Sequence, residues 1–74
     1  MEIQARIEGL RPFLIHSEPY TQVYFSHLDD PDTIHQTRLG SADLPEGLKV
    51  GDQVLVYSVM GVIAEIRKVE NTAS

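Results

Sequence analysis

Residues 48–69, LKVGDQVLVYSVMGVIAEIRKV, hold the densest run of apolar and β-branched side chains in the chain. Such residues favour strands, because branched and aromatic side chains pack well on a pleated surface. The run opens on a turn signal, Lys49-Val50-Gly51-Asp52, and is interrupted at Met60-Gly61. The pattern predicts two strands, 53–59 and 62–69, meeting at Gly61. A lone hairpin is marginal in water, so the upstream sequence must supply strands to pair with it.

Residues 2–8 alternate, with Ile3, Ala5 and Ile7 on one face and Glu2, Gln4, Arg6 and Glu8 on the other. A period of two marks a half-buried strand. Gly9 permits a bend or bulge, and Pro12 marks a strand start, an edge or a turn. Residues 13–16, FLIH, read as a short second strand, Ser17-Glu18-Pro19 as a turn, and residues 20–28, YTQVYFSHL, as a third strand. Asp29-Asp30-Pro31-Asp32 is the strongest loop signal. Residues 33–39 read as a short irregular strand and residues 41–47 as a loop or single helical turn, since Pro45 opposes a long helix. The expected fold is all-β: a small five-stranded antiparallel barrel of the oligonucleotide/oligosaccharide-binding (OB) type, with an irregular connection between strands 3 and 4. Closing a short sheet on itself limits exposed edges; an SH3-like barrel is the nearest rival. The domain is expected to span 1–70, with 71–74 a flexible tail or linker.

Seventy-four residues allow one domain. A chain of this size buries only about 60% of the surface its unfolded form exposes, so the margin of stability is thin. The absence of cysteine excludes a disulfide framework, thiol catalysis and cysteine-ligated metal sites, and points to a reducing, cytoplasmic setting. No apolar run approaches the roughly 20 residues that a membrane-spanning helix needs, and no membrane contact is expected of this domain. The formal net charge is −5, which argues against indiscriminate phosphate binding. The acid is unevenly placed: residues 29–52 carry Asp29, Asp30, Asp32, Asp43, Glu46 and Asp52 against Arg38 and Lys49 alone.

The order of these segments resembles the cold-shock domain family. The resemblance runs over nearly the whole chain. That family's first motif, Lys-Gly-Phe-Gly-Phe-Ile, looks like Arg11-Pro12-Phe13-Leu14-Ile15-His16 here. Arg11 keeps the charge and Phe13 the first aromatic, while both glycines are replaced and Ile15 stands where the second aromatic would be. The second motif, Val-Phe-Val-His-Phe, looks like Val23-Tyr24-Phe25-Ser26-His27, with Tyr24 keeping the exposed aromatic. The resemblance implies a five-stranded OB barrel that binds single-stranded RNA or DNA. Residues 48–63 are also similar to the last strands of small hydrogenase-maturation chaperones, whose work depends on a cysteine beside the initiator methionine. Position 2 here is Glu2.

Single-stranded nucleic acid is held by bases stacked on exposed aromatics beside basic groups. Alternation along 20–28 puts Val23, Phe25 and His27 on one face and Tyr24, Ser26 and Leu28 on the other. With Phe25 in the core, Tyr24 stands outside beside Phe13. Phe13 and Tyr24 then form the expected stacking platform, joined by His27 if the strand twists at its end and rimmed by Tyr20, with Arg6, Arg11 and Arg38 for phosphates. The bland alternative makes Phe13 core and Tyr24 an isolated surface aromatic, leaving a protein- or domain-interaction barrel without nucleic-acid binding. Tyr57 is expected to be structural. His16, His27 and His35 lack the short spacings of metal ligands, and the Asp29–Asp32 cluster lacks the glycine and glutamate of a calcium loop. No nucleophile motif or phosphate loop occurs. The expectation is a monomeric binding module, not an enzyme, with no cofactor and no metal.

Overall fold

The computed structural model describes residues 1–69. Five strands follow in chain order: β1 (Glu2–Ile15), β2 (Glu18–His27), β3 (Asp30–Gly40), β4 (Gln53–Val59) and β5 (Val62–Lys68). A single 3₁₀ turn, Ser41–Asp43, follows β3. All neighbouring strands are antiparallel, in the order β3-β2-β1-β4-β5. The fold is the expected all-β, five-stranded OB-type architecture, with an irregular connection before β4. It is a partly open barrel: among the described residues no ladder joins β3 to β5. The expected 71–74 tail lies outside the described residues.

The strands are divided differently from the sequence expectation. Residues 2–8 and 13–15 belong to one 14-residue strand, β1. Gly9 supplies a bulge rather than a break: Ile7 faces Phe25 and Gly9 faces Tyr24, so Glu8 is the extra residue. The bulge bends β1 enough to serve both halves of the sheet. Its first part, Glu2–Arg6, pairs with β4, and the whole strand from Ala5 pairs with β2. Pro12 lies beyond the reach of β4, on an edge, where a sheet tolerates proline. Residues 33–39 lie within the 11-residue β3, whose register with β2 shifts between Ile34 and Asp30. Their inward positions, His35, Thr37 and Leu39, are too polar as a set to announce a core face.

Seven side chains form the buried core: Ala5, Ile7, Val23, Phe25, Val54, Val56 and Ile66. The competing apolar set on β4, Leu55, Tyr57 and Val59, faces outward. Burying each larger aliphatic side chain contributes about 1.5–3 kcal/mol. Leu44 and Leu48, from the connection between β3 and β4, fold over the end of the barrel with Leu10 and Leu39. The connection is tied to β1 at the bulge, with the Ile7 amide donating to the Asp52 carbonyl (2.9 Å) and the Gly51 amide to the Ile7 carbonyl (2.8 Å). Gly51 has φ of 95°, in the region that glycine alone adopts cheaply.

The β1–β2 turn is not Ser17-Glu18-Pro19. Ile15 pairs with Glu18, leaving His16 and Ser17 as a two-residue loop with φ of 50° and 67°. Two positive φ values suit the right-handed twist of a tight hairpin, but side chains other than Asn, Asp and Gly pay for them. The double substitution His16→Asn, Ser17→Gly is expected to stabilise the fold by about 1 kcal/mol. Thermal unfolding checks it: the midpoint should rise by roughly 4–8 °C, and an unchanged or lower midpoint would contradict this account of the turn.

Candidate nucleic-acid interface

The register places three rows of side chains on the outer face of the β1–β2–β3 half. Arg11 pairs with Gln22, and Gln22 with Arg38, so two guanidinium side chains flank a central amide. One row further along β2, Tyr24 pairs with Gly9 on one side and Gln36 on the other. In the opposite direction Phe13 pairs with Tyr20, their rings stacked with centroids 6.1 Å apart and planes 26° apart. Arg11, Phe13, Gln22, Tyr24 and Arg38 line one open groove of about 380 Å³.

Local sequence explains the arrangement. Thr21, Val23 and Phe25 are buried, which drives Tyr20, Gln22 and Tyr24 to the outer face by the period of two. Gly9 leaves room for the Tyr24 ring: a Cβ there would lie 3.3 Å from Tyr24 Cδ2. Gln22 Nε2 donates to Gln36 Oε1 at 3.3 Å, linking β2 to β3 across the groove.

Charge on this face departs from the chain's average. Three of the six basic residues, Arg6, Arg11 and Arg38, stand on β1 and β3 here. Among the described residues the ion pairs are Arg67–Glu65 and Lys68–Asp52, so these three arginines have no carboxylate partner there. No carboxylate lines the groove. Glu8, the nearest on β1, accepts a 2.6 Å hydrogen bond from the buried Ser26 hydroxyl. Six of the eleven acidic residues lie instead in the β2–β3 turn (Asp29), at the start of β3 (Asp30, Asp32) and in the β3–β4 connection (Asp43, Glu46, Asp52).

The structure thus brings together five of the seven expected residues: Phe13, Tyr20, Tyr24, Arg11 and Arg38. Arg6 lies on the same outer side but pairs with Ser26 and Gln53, outside the groove. His27 does not join the platform. Its ring turns inward with Phe25 and stacks on His35, centroids 4.1 Å apart and planes 15° apart. Phe25 and His27 are two apart on β2 and share its core face, which overrides the position His27 takes in the motif. Sequence reasoning missed Gln22 and Gln36. The alternation that exposed Tyr24 also exposed Gln22, whereas Gln36 depends on the β2–β3 register.

Two other surface features compare poorly as chemical sites. A cleft of about 450 Å³ beneath the β3–β4 connection is lined largely by apolar groups, including Leu10, Pro12, Leu44 and Leu48. The Thr21 and Ser41 hydroxyls in it are hydrogen-bonded to each other at 2.9 Å. On the outer face of β4, Tyr57 has the Arg67 guanidinium 5.5 Å from its ring centre, and its hydroxyl is raised above the ordinary range chiefly by its hydrogen bond to Glu2. Arg67 is in turn engaged by Glu65, so this tyrosine is committed to surface structure.

Among the described residues, no helix is long and apolar enough to cross a membrane. Searches of protein-family models, of curated proteins and of solved structures each find no match to this chain.

Proposed function

We propose that this chain is a binding module for single-stranded RNA or DNA, related to the cold-shock domains, that holds bases on Phe13, Tyr20 and Tyr24 and phosphates on Arg11 and Arg38, and that it works in the cytoplasm without catalysing a reaction. The observation that carries the reading is the composition of the groove: aromatics and unpaired arginines without a carboxylate, on a chain of net charge −5. Aromatic platforms beside basic groups are the common device of sequence-tolerant single-strand binding. The modest number of cations implies weak binding with a shallow salt dependence. Two phosphate contacts correspond to a log–log slope of about −1.4 for a single strand. Titration of the protein's fluorescence with a short pyrimidine-rich oligonucleotide at low salt tests the proposal. Saturable quenching that weakens with salt is expected; no saturable change at low salt would refute it.

A second reading rests on a different surface. At the β4–β5 hairpin tip Val59, Met60 and Val62 are exposed, Met60 at 98%, and Met60 holds φ of 52°. An exposed apolar tip fits a barrel that docks on another protein or domain. Loss of oligonucleotide binding together with retained fold would favour that reading.

A further inference from the structure

We infer that the groove is a three-nucleotide site, with stacking platforms at its two ends and a phosphate clamp between them. The inference rests on the nucleic-acid reading above and follows from spacing. Tyr20 and Tyr24 are four residues apart on one regular stretch of β2 with no bulge between them. At about 3.3 Å per residue their Cα atoms are roughly 13 Å apart. That separation is two outward-facing rows of about 6.6 Å each, and one row matches one stretched nucleotide step. A base on the Phe13–Tyr20 stack and a base on Tyr24 are therefore not neighbours in sequence. One nucleotide lies between them, over Gln22.

The middle row is built for that nucleotide. Arg11 and Arg38 stand one strand to either side of Gln22, about 10 Å apart in backbone terms, within reach of phosphates on both sides of the central sugar. The central base meets the amide pair. With Gln22 Nε2 donating to Gln36 Oε1, Gln22 Oε1 remains free to accept and Gln36 Nε2 to donate, which suits the mixed donor and acceptor edge of a base. Beyond Tyr24 the next outward residue of β2 is Ser26, buried and bonded to Glu8. It offers neither a ring nor a positive charge. At the other end β2 reaches the hairpin turn. The platform has two stations on β2 and no third.

Oligothymidylates of two, three, four and six nucleotides, titrated at low salt, test the inference. The affinity should step up about 5- to 150-fold from two to three nucleotides, as the second stack is engaged, and then grow only in proportion to the number of overlapping three-nucleotide frames. Tyr24→Ala should erase the step, so that two and three nucleotides bind with affinities within about twofold of each other, with the far-ultraviolet circular dichroism spectrum confirming the fold. Arg11→Gln and Arg38→Gln should each reduce the salt slope by about 0.7. A steady gain per nucleotide through six, or a step that survives Tyr24→Ala, would overturn the three-nucleotide site while leaving single-strand binding intact. No binding at any length would overturn both.

Discussion

Replacing Phe13 and Tyr24 together by alanine should weaken oligonucleotide binding by about 2–6 kcal/mol, since each base–aromatic stack contributes about 1–3 kcal/mol. Even the lower figure is a loss of roughly thirtyfold in affinity. The two rings are suited to this experiment because neither belongs to the buried core. Phe13 packs on Tyr20, and Tyr24 lies over the bare backbone of Gly9. The fold should survive, as unchanged circular dichroism and a cooperative melt would show. Binding unaltered in the double variant would mean that the groove is not the interface, whatever the wild-type protein binds. A full loss, with Arg38→Gln changing only the salt dependence, would separate stacking from charge.

The largest effect on stability should come from the opposite face of the same strand. Phe25 is 2% exposed. It packs in the core with Ile7 and Val23, stacks on His35 at 5.5 Å and lies against the His27 ring, tilted by 32°, at 5.9 Å. Phe25→Ala removes the only buried aromatic ring of the core among the described residues and should cost about 3–5 kcal/mol. A domain of this size has a total stability of only about 4–11 kcal/mol, so the variant should be near or past unfolding at ambient temperature. Phe25→Leu, which keeps most of the volume, should cost under about 1.5 kcal/mol. Chemical denaturation of the two variants measures the difference. Equal, small losses in both would mean that the core end near the two histidines relaxes to fill the space.

Much of the fold was legible because burial follows a period of two. The alternation in 2–8 identified Ile3, Ala5 and Ile7 as one face, and Ala5 and Ile7 are fully buried. Val23 and Phe25 were legible in the same way. The choice between Val54/Val56 and Leu55/Tyr57 was not, because both sets on β4 are apolar and only packing against Ile66 and β1 separates them. Strand β3 was legible only as a short, irregular strand for the converse reason: its inward positions include His35 and Thr37, which look polar in sequence yet lie against Phe25 and Val23.

For the candidate site the same division holds. Phe13, Tyr24 and Arg11 stood out as exposed or motif-bearing residues before any pairing was known. His27 was expected on the platform only if β2 twisted at its end; the strand keeps its alternation there, and the ring lies with Phe25 and His35. Residue types along the chain thus determined the all-β class, the core strands and the supply of aromatic and basic groups. The tertiary structure alone decided that Phe13 would lie against Tyr20, that Arg11 and Arg38 would face each other across Gln22, and that Gly9 would leave space for Tyr24. These are facts of cross-strand register. Register depends on the length of the His16-Ser17 turn and on the one-residue bulge at Glu8, and a one-residue slip of β1 there would send Arg11 and Phe13 to the other face of the sheet from Gln22, Tyr24 and Arg38.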